Sequence, residues 1–121
     1  MYHLTVEQHF DAAHHLVGYR GKCQRNHGHR FLVQTTVEGA EVNNLGMLID
    51  FGEVKTKVDF ELEKLDHWDL NTITPFDIIN PTAENIASYL YYRLQNAFGK
   101  TKLTSVKIYE SPECYIEFNE E

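Results

Sequence analysis

From Tyr2 to Phe10 the chain alternates between apolar and polar positions. Tyr2, Leu4, Val6 and Phe10 fall on one side, and His3, Thr5, Glu7 and His9 on the other. That period of two is the mark of a half-buried strand. Residues 11–28 break the alternation with small and polar side chains. The pattern resumes from His29 to about Glu38 through Phe31, Val33, Thr35 and Val37, and Gly39 closes it. The two strands are expected to pair antiparallel, and a connection as long as 11–28 inside a compact domain is usually functional.

The period then changes. Asp50-Phe51-Gly52-Glu53 reads as a capping box, with Asp50 as the cap and Glu53 three residues on. Phe51, Val54, Val58, Leu62 and Leu65 recur at steps of three and four, the inner face of an amphipathic helix. A second helix is predicted to start at Asn80-Pro81, a capping residue followed by proline. Ile86, Leu90, Leu94 and Ala97 form its inner face, and Gly99 ends it. Residues 103–110 and 114–119 read as two further strands joined through Ser111-Pro112-Glu113. The order ββααββ predicts an α+β fold, a four-stranded antiparallel sheet with two helices packed on one face. Neither linker nor repeat interrupts it, so residues 1–121 read as one domain.

Composition narrows the function classes. The formal charge of −7 argues against nucleic acid as partner. The charge is uneven, however. Arg20, Lys22, Arg25 and Arg30 fall within an acid-free run, which is either solvated surface or a place to meet an anion such as phosphate. Cys23 and Cys114 are too few for a disulfide scaffold. The N-terminus lacks the form of a signal peptide, and no apolar run approaches the ~20 residues that span a bilayer. The expectation is a cytoplasmic protein with reduced thiols.

Candidate chemistry centres on Cys23-x-x-x-His27-Gly28-His29. In an extended chain, two histidines two residues apart project from one face, a spacing that suits one metal. If the first two strands pair, His14 or His15 reaches the same place. Three histidines with an open fourth position are a catalytic zinc arrangement. Cys23 has three readings: a fourth ligand, an inert thiol, or a thiolate favoured by Lys22 and Arg25. Asp66-His67 is either a capping pair or a carboxylate that fixes a histidine tautomer. Glu110 ends a buried strand face, where an acid is costly unless paired. It is either in solvent or the acceptor for two parallel N–H groups of a planar ligand edge.

Six segments taken in order carry a resemblance that runs nearly end to end. They are Phe10-x-Ala12-Ala13-His14-x-Leu16, Cys23-x-x-x-His27-Gly28-His29, Gly46-Met47-Leu48-Ile49-Asp50-Phe51, Leu65-Asp66-His67-x-x-Leu70-Asn71, Asn80-Pro81-Thr82-x-Glu84-Asn85 and Tyr109-Glu110. Together they resemble the 6-pyruvoyltetrahydropterin synthase family, especially its bacterial branch that makes 6-carboxytetrahydropterin in the queuosine pathway. His15 and Asn26 depart from the family pattern, and the short Cys-x-x-x-His spacing resembles the carboxytetrahydropterin branch.

The resemblance implies zinc on His14, His27 and His29, with Cys23 as catalytic base, Asp66 and His67 as its partner pair, and Glu110 anchoring a pterin. It also implies the T-fold, whose subunits join their sheets into barrels with active sites between subunits. The partners expected are a pterin triphosphate and further copies of the chain, as a trimer or hexamer, with neither nucleic acid nor membrane. The implied reaction consumes 7,8-dihydroneopterin triphosphate and releases triphosphate and acetaldehyde. A pyruvoyl product from the same site, or a pterin-binding protein with structural zinc, is the alternative.

Overall fold

Alternation at the N-terminus becomes one long strand, β1 (Tyr2–His14), and the second alternating stretch becomes β2 (His27–Gly39). The helical stretches form α1 (Phe51–Leu62) and α2 (Ala83–Leu94), and the chain closes with β3 (Lys102–Ser111) and β4 (Cys114–Phe118). The computed structural model describes residues 1–120, except for the side chain of Cys23. The strands lie in the order β1-β2-β3-β4, every neighbour antiparallel, with both helices packed on one face. Among the described residues, no helix is long and apolar enough to cross a membrane.

The core forms between the helices and the apolar sheet face. Phe10, Phe31, Val33, Val37, Val106 and Ile108 from the sheet meet Val54, Val58, Leu62, Ile86, Leu90 and Leu94 from the helices, all essentially inaccessible. Each such side chain contributes roughly 1.5–3 kcal/mol relative to exposure. The opposite sheet face is polar. Thr5 bonds Thr36 across strands at 2.7 Å, and Gln34 donates to Glu7.

Several expectations shift. β1 and β2 run on to His14 and start at His27, so the connection spans only 15–26. The reason is pairing: Asp11, Ala12, Ala13 and His14 lie opposite Arg30, His29, Gly28 and His27, and the ladder satisfies backbone groups that the alternation does not reveal. Tyr2 is 53% exposed at the open end of the strand. Phe51 keeps to the inner stripe of α1, but in its first turn. It lies there beside Thr5, Val6, Glu7 and Lys55 at the sheet rim and stays 61% exposed. Glu61 takes a buried place instead, with Arg93 at 2.9 Å and Lys64 at 3.2 Å holding its carboxylate.

Thr82, rather than Asn80, caps α2, its hydroxyl accepting from Asn85 N at 3.1 Å. Proline disfavours helical backbone in the residue before it, so Asn80 stays outside. α2 ends at Leu94 rather than near Gly99, because Gln95 leaves helical backbone at ψ 134° and Asn96 after it adopts a left-handed φ of 66°. In β3 the expected common face of Thr104, Val106, Ile108 and Glu110 is interrupted. Leu103 pairs with Val37 and Ser105 with Thr36, so Thr104 is an extra residue in a bulge.

Asp50 holds the first turn of α1, its Oδ1 accepting from Gly52 N at 2.7 Å. Asp50→Ala is expected to lower unfolding free energy by about 1 kcal/mol, with Asp50→Asn close to wild type. Urea titration checks it.

Candidate active site

Antiparallel register sets the first group. His14 lies opposite His27 and Ala12 opposite His29, so the three imidazoles leave the helix-facing side of two neighbouring strands. One ring nitrogen from each lies within 4.8 Å of the others. Ring centroids are 4.6, 5.2 and 4.7 Å apart with planes steeply inclined, so ring edges converge instead of stacking. Phe31 forms the floor, 5.3 Å from His14 and 5.6 Å from His29. His15 is not part of this group.

Hydrogen bonds fix which nitrogens are free. His14 Nδ1 lies 2.7 Å from the Pro81 carbonyl, and His27 Nδ1 lies 2.7 Å from that of Arg25. A carbonyl only accepts, so each Nδ1 donates and each neutral ring keeps its lone pair on Nε2. His14 Nε2 is buried without any partner among the described residues. An orphaned acceptor at the centre of three convergent imidazoles is an arrangement a metal would satisfy. Burial pushes the pKa of both His14 and His29 down, opposed in part by the Glu110 carboxylate. Both are therefore held in the neutral form that ligates metal.

Glu110 acquires its place from a second bulge. Tyr109 pairs with Tyr115 and Ser111 with Cys114, leaving Glu110 without an opposite residue. Bulges re-aim side chains, and this carboxylate lies near enough to act on His14 and His29. Glu110 is half-buried and borders a cavity of about 340 Å³ lined also by Leu16, Tyr19, Thr82, Glu84 and Cys114. It is neither simply in solvent nor sealed in the core.

Asp66 and His67 form a second group. The segment after α1 runs along the free edge of β1. Asp11 N donates to Asp66 Oδ1 at 2.9 Å, His67 N to the Asp11 carbonyl, and Ala13 N to the Trp68 carbonyl at 3.1 Å. His67 adopts a φ of 64°, a left-handed backbone uncommon for a non-glycine residue. Neighbouring side chains normally diverge, yet here His67 Nδ1 donates to Asp66 Oδ2 at 2.9 Å. The Asp11 N–H, then the His67 ring, lower the Asp66 pKa. Asp66 therefore stays ionised and fixes His67 with Nε2 free.

Asp11 projects from the face opposite His14, and its carboxylate joins Asp66 and His67 while pairing with Arg30 at 3.4 Å. One chain thus keeps the Asp66–His67 pair apart from the three histidines. The Cys23 side chain lies outside the described residues; the backbone there forms a short turn at Lys22–Gln24. Arg20, Lys22 and Arg25 are exposed, whereas Arg30 is engaged by Asp11.

Two contributors escape a reading of side-chain types. The Pro81 carbonyl is a backbone group with no signature, and Asp11 is tied to Asp66 across 55 positions of chain.

Comparison with known proteins agrees with this geometry. The profile of the family described as 6-pyruvoyl tetrahydropterin synthase matches residues 3–121. The 6-carboxy-5,6,7,8-tetrahydropterin synthase of Rickettsia felis is 33% identical, covering 89% of this chain and 93% of its own. The dihydroneopterin monophosphate aldolase of Pyrococcus furiosus is 37% identical over 89% of each chain. Among solved structures, 6-pyruvoyl tetrahydropterin synthase of Caenorhabditis elegans superposes with a TM-score of 0.85 at 25% identity, covering 100% of this chain and 98% of that one. With the sheet order, the helix placement and the whole-length profile in agreement, the chain belongs to the 6-pyruvoyl tetrahydropterin synthase family.

Proposed function

We propose that this chain is a zinc-dependent lyase, a single T-fold domain over residues 1–121 acting in the cytoplasm as a homo-oligomer. It would convert 7,8-dihydroneopterin triphosphate and water to 6-carboxy-5,6,7,8-tetrahydropterin, acetaldehyde and triphosphate. The observation that carries the reading is the unpartnered, buried Nε2 of His14 among three convergent histidines, near the Glu110 carboxylate that borders the cavity. Relatives named 6-carboxy-5,6,7,8-tetrahydropterin synthase at 33% identity support the choice of reaction.

His14, His27 and His29 would hold the ion, and three protein ligands leave a position for substrate. Zinc, when bound, supplies Lewis-acid polarisation of the substrate's side-chain oxygens. Cys23, beside Lys22 and Arg25 in sequence, takes a proton from the side chain as thiolate. His67, fixed by Asp66 with Nε2 free, moves protons between the side-chain atoms. Glu110 accepts from the amino and ring N–H groups of the pterin, a paired geometry that suits a carboxylate. Arg20, Lys22 and Arg25 meet the departing triphosphate, while Arg30 remains with Asp11.

Placement of Asp66–His67 on the face opposite His14 supports a site completed by a neighbouring copy. The outer edge of β1 before Asp11 and that of β4, the two end strands of the sheet, offer the means for trimeric or hexameric barrels. A second reading follows from the 37% identity with the Pyrococcus furiosus aldolase. It is a retro-aldol cleavage between the two carbinol carbons of dihydroneopterin monophosphate.

Zinc-loaded protein incubated with the triphosphate is expected to release acetaldehyde and triphosphate together. Triphosphate without acetaldehyde indicates a pyruvoyl product, and glycolaldehyde phosphate from the monophosphate indicates the aldolase. Turnover of neither, with pterin still bound, leaves a binding protein. Cys23→Ala is expected to cut kcat by about 10²-fold or more with zinc retained. Glu110→Gln is expected to raise KM roughly tenfold with zinc unchanged; loss of zinc instead contradicts the anchor role. Mixing Cys23→Ala with His67→Ala oligomers after dissociation is expected to restore part of the rate. No restoration places both residues of one site in one chain.

A further inference from the structure

Beyond His14, β1 loses its strand partner, since β2 begins at His27. Backbone groups of residues 15–17 then need other partners. Two side-chain amides supply them. Asn71 Oδ1 accepts from His15 N at 2.9 Å, and its Nδ2 donates to the His15 carbonyl at 3.1 Å. Asn80 does the same for Val17, accepting from its N–H at 2.9 Å and donating to its carbonyl at 2.9 Å. Each amide reproduces one rung of a β-ladder from a residue more than fifty positions away.

The Asn80 rung differs from the Asn71 rung in what stands beside it. The next residue, Pro81, is buried and lends its carbonyl to His14 Nδ1 at 2.7 Å. The peptide unit that carries this carbonyl also carries the Thr82 N–H, which donates to the Asn80 carbonyl, so the direction of the Pro81 carbonyl follows the placement of Asn80. The Asn80 carbonyl accepts from Asn85 Nδ2 at 2.8 Å and from Thr82 N at 2.9 Å, which anchors the turn to the capped start of α2. Two rungs therefore join the same pair of segments, Val17 with Asn80 and His14 with Pro81. The Val17 rung sets where Asn80 sits against the segment that follows β1, and the Thr82 N–H bond carries that placement to the Pro81 carbonyl.

We propose that Asn80 is a positioning residue for the metal centre: through the Val17 rung it aims the Pro81 carbonyl, which holds His14 with Nδ1 protonated and Nε2 turned to the metal. The inference rests on the metal reading given above. Partners of a ligating histidine's second nitrogen commonly change metal affinity 10- to 100-fold. The clamp works by direction more than by stability. Val17 is exposed, so water replaces both bonds when the amide is removed, and the net contribution of such bonds to folding is small.

The test compares Asn80→Ala with Asn71→Ala in the full-length chain. Zinc affinity is measured by competition with a chelator, and the His14 tautomer in metal-free protein by long-range ¹H–¹⁵N NMR at mildly alkaline pH. Asn80→Ala is expected to weaken zinc about 10-fold or more and to turn a single Nδ1–H tautomer into a mixture, while thermal unfolding of the metal-free protein stays near wild type. Asn71→Ala is expected to leave both readouts near wild type. Wild-type affinity and an unchanged tautomer in Asn80→Ala overturn the proposal, as does equal weakening in both variants together with matching losses in Tm. If the wild-type chain binds no zinc, the metal reading fails, and the tautomer comparison still decides the role of Asn80.

Discussion

The register between β1 and β2 is the constraint on which the site depends. His14 faces His27 and Ala12 faces His29, with Phe10 stacked on Phe31 at 4.8 Å one layer below. Side chains alternate with a period of two, so a slip by a single residue would carry His27, His29 and Phe31 to the polar face together. The apolar pairing that fixes the core therefore also fixes the three convergent histidines. Small Ala12 opposite His29 leaves room for a ring where another large residue would crowd it. Packing and chemistry share one ladder, and neither can be moved without the other.

A second consequence is the division of labour between faces. The helix-facing side carries the three imidazoles and the Glu110 carboxylate. The free edge and the opposite face carry Asp11, Arg30, Asp66 and His67, where the Asp11 N–H keeps the Asp66 carboxylate ionised. Within one chain the acidic group stands apart from the three histidines, and under the proposed reading an assembly brings the two groups together across a subunit boundary.

Much of this was legible in the chain. Periods of two and near 3.6 gave every strand and helix in the right order, because each element buries one face. Pairing of the first two strands brings either His14 or His15 to His27 and His29, and the structure places His14 there. Glu110 stood out as an acid ending an apolar face. Less legible were features that rest on long-range bonds or irregular backbone. The bulges at Thr104 and Glu110 depend on cross-strand register, and the left-handed His67 depends on its bond to the Asp11 carbonyl. Sequence alone suggests Asn80 as a helix cap because that is the residue's common local use; its actual partner, Val17, lies 63 positions earlier. Local propensity names what a side chain can do, whereas tertiary contacts decide which option is taken.

The central claim is that His14, His27 and His29 hold one metal ion and leave a coordination position open. Cobalt(II) titration of the metal-free chain, followed by visible absorption, tests it most directly. The expected result is one equivalent per chain with the intense bands of a four- or five-coordinate site, a shift of those bands on adding azide, and loss of the spectrum in His14→Ala. A wild-type spectrum no different from hexaaqua cobalt, or an unchanged spectrum in His14→Ala, would contradict it.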